Sequence, residues 1–226
     1  MGWLGLDDDR NDGRILHPKN RLAQLGRAAL AFLAILWCGA AAAFEFPALY
    51  NVTGVAENDS LNVRAEPSTD ADIIGSLAYN AREVEVVDQS SDGLWARVNV
   101  GEGSGWAAFR YLRRDVELVV GQTPLTCFGT EPFWAVAIRD DDQIVLQTPS
   151  QPELVLDVQT QFSSINRTDR VAISAANEQT QMTALIAGHQ CSDGMSDRLF
   201  GLTIDFGLQR SDVDPILLSG CCTMAP

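Results

Sequence analysis

Cys127-Phe128-Gly129-Thr130-Glu131-Pro132-Phe133-Trp134 opens the region whose reading decides the fold, and Gly220-Cys221-Cys222 closes it four residues from the end of the chain. Midway lies Cys191-Ser192-Asp193-Gly194-Met195-Ser196-Asp197-Arg198. Between these motifs come short apolar runs: Trp134–Ile138, Ile144–Leu146, Leu154–Val158, Val171–Ser174, Met182–Ala187, Leu199–Phe206 and Ile216–Cys221. Runs of this length between polar turns predict strands. Asp140-Asp141-Asp142 supplies a hairpin turn. The polar stretch from Thr160 to Gln181 predicts a loop at Asn166-Arg167-Thr168-Asp169. Helices are minor, so the region predicts a small β-barrel or sandwich of about seven or eight strands. In an extended chain Phe133 and Trp134 point to opposite faces. One ring is core and the other can meet a ligand, which makes Trp134 a candidate binding residue.

The cysteines support that reading. Cys38 lies in an apolar N-terminal run, whereas Cys127, Cys191, Cys221 and Cys222 all fall in the last hundred residues. An even set confined to one half of an exported chain predicts two disulfides. A bond between the neighbours Cys221 and Cys222 would close a strained ring, which leaves two pairings open: Cys127 with Cys221 and Cys191 with Cys222, or the exchange. On a strand the neighbours face opposite ways, which puts one bridge on each side. No Cys-x-x-Cys occurs, and His189 is the only histidine beyond the leader, so neither a metal site nor a cofactor is expected. His189 and Cys191 would share a face of one strand, and only an unbridged Cys191 could act as a nucleophile. Asp193, Asp197 and Arg198 form a polar loop suited to an Asx-turn with Asp–Arg contacts, or to holding a ligand. The acids lack the alternation of a calcium loop.

The formal charge is −14, from 16 basic and 30 acidic residues. Residues beyond 43 carry eleven Arg against twenty-six acids, which argues against binding nucleic acid or anionic headgroups. Residues 1–43 read as a short polar tail followed by a leader. Arg21 and Arg27 precede the apolar run Ala28–Cys38, and Ala41-Ala42-Ala43 offers a cleavage site. The leader is a signal peptide or, if uncleaved, an N-terminal anchor and the chain's only membrane contact. Either way the remainder is exported to the periplasm or cell envelope.

The middle of the chain predicts short strands at Val52–Ala56, Leu61–Arg64, Ile73–Leu77, Glu83–Asp88, Trp95–Val100 and Gly105–Phe109, a spacing that suits a small bent barrel. Gly75, Gly93 and Gly105 are expected at tight turns. Four landmarks fall in order: Leu61-Asn62-Val63-Arg64-Ala65-Glu66-Pro67-Ser68, Ile74-Gly75-Ser76-Leu77, Leu94-Trp95-Ala96-Arg97-Val98, and Gly105-Trp106-Ala107 with Tyr111-Leu112. Together they resemble the bacterial SH3 (SH3b) domain, over about residues 50–114. Ala65-Glu66 departs from the small polar residue and glycine usual there. The resemblance implies an SH3-like barrel that binds cell-wall material or a peptide partner. It makes Arg64, Trp95, Trp106 and Tyr111 candidate binding residues, with Trp95 and Trp106 also suited to the core. Arg110, Arg113 and Arg114 read as a solvated rim or a contact for an anionic wall polymer.

The three C-terminal motifs resemble a family of bacterial envelope and membrane proteins that brings no activity with it. The expected organisation is a leader at 1–43, an SH3b-like domain at 44–118 and a disulfide-stapled β-domain at 119–226. The all-β chain is expected to be a non-catalytic envelope protein whose partner is peptidoglycan or an envelope protein. The alternatives are a thiol-based redox enzyme or metal chaperone using the C-terminal cysteines, and an assembly or structural factor of the envelope.

Overall fold

The computed structural model describes residues 46–114 and 124–224. The leader and residues 115–123, with the expected inter-domain connector, lie outside the described residues. What is described is all-β apart from one 3-10 turn at Phe109–Tyr111.

The first part is an SH3-like antiparallel sheet. Its strands are β1 (Ala48–Val52), β2 (Ser60–Arg64), β3 (Ile73–Ala78), β4 (Val84–Gln89), β5 (Trp95–Val100), β6 (Gly103–Ala108) and β7 (Leu112–Arg114), in the order β3-β2-β6-β5-β4-β1-β7. Alternation places Tyr50, Val52, Leu61, Val63, Val98 and Ala107 in one buried cluster. The strand expected at Val52–Ala56 lies instead at Ala48–Val52, because Gly54 takes φ +73° and turns the chain away. Of the three glycines expected in turns only Gly93 sits in one, at φ +71°. Gly75 and Gly105 lie within strands, where a Cβ would strike Val100 and Val63 respectively.

The second part is a closed eight-stranded barrel. Its strands are β8 (Leu125–Thr130), β9 (Phe133–Ile138), β10 (Gln143–Thr148), β11 (Gln151–Ser163), β12 (Arg170–Ala176), β13 (Thr180–Cys191), β14 (Phe200–Arg210) and β15 (Val213–Thr223). Each strand pairs antiparallel with the next, and β15 returns to β8 through Cys221–Phe128, Cys222–Cys127 and Thr223–Thr126. Closure removes the exposed edges that an open sheet would have. β8 is not marked as a strand by its own sequence, because Thr126, Gly129 and Thr130 interrupt its apolar run. β11 and β12 extend into the polar stretch, because cross-strand hydrogen bonding needs no apolar alternation, and the loop expected at Asn166-Arg167-Thr168-Asp169 falls between them, over residues 164–169. Only Leu156 of β11 is fully buried.

An eight-stranded barrel has an interior just wide enough for side chains. Here Val136, Ile144, Leu156, Ile173, Ile186, Ile204 and Phe206 fill it. Trp134 enters the same core and stacks edge-on against Phe206, ring centroids 4.8 Å apart. Its indole fits because Gly129 and Gly220 have no side chains: a Cβ on Gly129 would strike the ring, and one on Gly220 would strike the ring and the Phe128 carbonyl. The outermost motifs are therefore one packing unit.

Of the two pairings left open, the structure forms Cys127–Cys222 and Cys191–Cys221. Cys127 and Cys222 face each other across the β8–β15 seam, Cα atoms 3.9 Å apart, inside the barrel core. Cys221 points the other way and ties the end of β13 to the outside of β15.

The two parts meet along β1 and β4. Leu49 of β1 packs into the barrel core, while Ala48 and Tyr50 on either side pack into the SH3-like sheet. Asn99 donates from Nδ2 to the Leu199 carbonyl at 2.7 Å and accepts from the Leu199 N–H at Oδ1, 3.0 Å. The Asp197 N–H donates to the Glu102 carbonyl at 2.9 Å.

Two outcomes check this packing. Gly220→Ala is expected to destabilise the fold by about 2–3 kcal/mol, read from the denaturant midpoint, because the backbone carbonyl it meets cannot swing aside. Replacing both Cys191 and Cys221 by Ser is expected to cost about 3–4 kcal/mol for the 30-residue separation, read the same way with Cys127–Cys222 intact.

Candidate binding cleft

The turn after β1, strand β2 and the segment around the 3-10 turn enclose a cleft of about 260 Å³. Arg64, Trp95, Arg110 and Tyr111 line it, with Asp59 at one side. Trp95 is the floor: its side chain is buried, and its backbone N–H donates to the Ser90 hydroxyl at 3.0 Å. The Arg64 guanidinium is held by the Ala71 carbonyl, 2.6 Å from Nη1. Arg110 lies over the Tyr111 ring, 4.7 Å from its centroid, and reaches the phenolic oxygen at 3.3 Å. A cation held on an aromatic face is partly preorganised. The result is an aromatic trough with two guanidinium groups on its walls and no nucleophile–base pair among its lining residues.

The sequence-predicted site residues fall into three places. Arg64, Trp95 and Tyr111 are brought together in the cleft. Trp106 is not in it: it stands in register between Arg64 and Arg97, half-buried, with the Arg97 guanidinium 5.2 Å from its ring. Trp134 is in the barrel. Asp193, Asp197 and Arg198 lie in the β13–β14 loop. There Asp193 makes the expected Asx-turn, its Oδ1 accepting from the Met195 and Ser196 N–H groups at 3.0 and 2.9 Å. The expected Asp–Arg contacts do not form: Arg198 lies over the Phe200 ring at 5.4 Å and is not among the described ion pairs. Asp197 meets the SH3-like sheet through its backbone. Cys191 is bridged to Cys221, which leaves His189 no thiolate to activate. Among the described residues no group of His, Cys, Asp and Glu is arranged to hold a metal ion.

Sequence reasoning missed Glu85, which is 6% exposed and spans the two parts. Its carboxyl accepts from the Thr223 hydroxyl at 2.5 Å and from the Met224 N–H at 3.2 Å. The available signal was an acid inside the apolar run of β4. Glu85, Val86 and Val87 are all buried, so the strand is covered on both faces. Asn99 was missed as well; nothing in its sequence context sets it apart from a surface asparagine.

Residues 59–113 match the bacterial SH3 domain family. The match begins just before β2 and runs into β7, taking in Arg64, Trp95, Arg110 and Tyr111. No curated protein matches the chain in a sequence comparison. The described chain is thus an all-β molecule with a bacterial SH3 domain ahead of a closed, disulfide-bonded barrel.

Two carboxyls respond to pH in opposite senses. Burial raises the Glu85 pKa, and the hydrogen bonds from Thr223 and Met224 and the charge of Arg198 only partly offset it. Its contribution to stability is present below the unfolded pKa and lost as pH rises through the folded value. Burial also pushes Asp193 up, but the bonds from Ser196 and Met195 and the nearby Arg198 outweigh it and leave the pKa lowered. Its contribution is present above the unfolded pKa and lost as pH falls through the folded value. Denaturation across pH is expected to show the stability of the wild type relative to Glu85→Gln falling with rising pH. Relative to Asp193→Asn it is expected to fall as the solution is acidified.

Proposed function

We propose that this is a non-catalytic protein of the cell envelope, whose SH3 domain holds cell-wall material or a protein partner in the cleft of Arg64, Trp95, Arg110 and Tyr111. The observation that carries the reading is the position of that cleft. It lies in the segment that matches the bacterial SH3 domain, and such domains often bind peptidoglycan or proteins. Two guanidinium groups beside aromatic faces suit a peptide stem with free carboxylates, which Arg recognises through paired hydrogen bonds. The sugar rings next to such stems can lie on tyrosine.

Export is supported by the two disulfides, which persist in oxidising compartments. It is also supported by the leader-like N-terminal sequence and by the resemblance of the C-terminal motifs to envelope proteins. Bridging of all four C-terminal cysteines weighs against a thiol enzyme or metal chaperone. A role in envelope assembly would use the same cleft with a protein in place of the wall.

Co-sedimentation of the full chain with purified peptidoglycan tests the reading. Wild type is expected to be retained. Arg110→Glu is expected to bind about tenfold more weakly, a loss of roughly 1.4 kcal/mol. Arg113→Glu, which makes the same charge change outside the cleft, is expected to bind as wild type does. Failure of the wild type to sediment would remove the wall as partner, and equal loss in both variants would remove the cleft as the site.

A further inference from the structure

The barrel has unequal ends. At one, β1 and β4 cover the interior, with Leu49 seated in the core. At the other, the turns between β8 and β9, β10 and β11, β12 and β13, and β14 and β15 surround an open cup of about 930 Å³. Trp134 closes its floor, with Phe206 edge-on against its ring. Its wall is apolar, made by Leu146, Leu154, Leu208, Ile216 and Leu218. The cup exists because the inward-facing positions run out of large side chains. Beyond Leu146 on β10 comes Thr148, and beyond Met182 on β13 comes Thr180. Ile216 faces inward by register yet is 49% exposed, and the apolar rim residues Phe133 and Val213 are 55% and 53% exposed. Large apolar side chains around a concavity of this volume are the usual make-up of a small-molecule site.

The rim indicates which molecule. Glu131, Glu153, Glu178, Asp212 and Asp214 sit in or beside its turns. The cation at the rim is Arg210, and Asp212 holds it at 3.4 Å. Asp214 lines the mouth of the cup, two residues from Ile216 of the apolar wall and past a bulge in β15. Phe133 adds an exposed aromatic face. An anionic head would meet uncompensated carboxylates here, whereas a cation would be attracted to both the acids and the ring. We propose that the open end of the barrel binds an amphiphile with an apolar tail and a cationic head, the tail resting on Trp134 and the head among the rim carboxylates. The site stands apart from the SH3 cleft and does not depend on it.

Calorimetric titration of the full, disulfide-intact chain tests this, with dodecyltrimethylammonium below its micelle concentration against dodecanoate as the anionic partner of equal tail length. One equivalent of the ammonium is expected to bind saturably, and dodecanoate at least tenfold more weakly. Ile216→Gln is expected to weaken the ammonium tenfold or more. Leu217→Gln, one residue on and facing outward with its side chain 73% exposed, is expected to leave it unchanged. Both substitutions are at exposed side chains. Asp214→Asn gives a second reading that leaves the apolar wall intact, and should narrow the preference for the ammonium by threefold or more. Absence of saturable binding, equal binding by Ile216→Gln and wild type, or equal affinity for the two head groups would each overturn the proposal. A dimer that Ile216→Gln dissociates, with no uptake of amphiphile, would assign the cup to a second copy of the chain and overturn it too.

Discussion

Closure of the barrel at the seam between β15 and β8 is the constraint on which the rest of the C-terminal structure depends. Three register pairs make the seam, and the Cys127–Cys222 bond crosses it from the inside. Strand parity does the sorting. On β15, Ile216, Leu218, Gly220 and Cys222 face inward, while Leu217, Ser219 and Cys221 face outward. Two adjacent cysteines can then send bonds to opposite sides of one strand. A slip of one residue would exchange the faces, push Cys221 inside and leave no room for the Trp134 ring. The bond, the indole and the two glycines that accommodate it therefore specify one register together.

The same economy joins the barrel to the SH3-like sheet. β1 turns alternate side chains to two cores: Ala48 and Tyr50 to one, Leu49 to the other. β4 is covered on both faces, and its buried acid, Glu85, is met by the hydroxyl of Thr223 at the end of β15 and by the amide of Met224 just beyond it. A buried carboxyl without donors would cost several kcal/mol; here both oxygens have one. The β13–β14 loop completes the contact through backbone hydrogen bonds and Asn99, which depend on loop shape more than on side-chain identity. The Asx-turn at Asp193 supplies that shape.

Much of this was legible in the residues themselves. The all-β class, most strands of the SH3-like sheet, the opposite orientations of Phe133 and Trp134 and the two-sided placement of Cys221 and Cys222 follow from period-two alternation and turn chemistry. What was not legible depended on partners distant in the chain. β8 has too little alternation to announce a strand, yet both its neighbours in the barrel supply hydrogen bonds. The second half of β11, residues 159–163, is polar apart from Phe162 and carries no alternation. Gly75, Gly105, Gly129 and Gly220 look like turn residues in isolation and prove to be sites of close approach within sheets. The choice between two disulfide pairings rested on register, which no local pattern encodes. Of the candidate residues, Arg64, Trp95 and Tyr111 converge on one cleft because the SH3-like sheet brings β2 against the end of β6. Trp106 lies one strand over on the same landmark run, and its ring is taken by Arg97.

A tube stoppered at one end is a dead-end vessel. The stopper is the packed core itself, in which Leu49 joins Val136, Ile144, Leu156 and the other inward side chains. Anything admitted to such a vessel must leave through the door by which it came, so there is no through-passage and no sequence of chambers. Its walls are also a single hydrogen-bonded loop of eight strands, stitched at the seam by a covalent bond. Such a hoop resists widening, and the capacity of the vessel is set by side-chain size at the brim instead of by flexing of the staves.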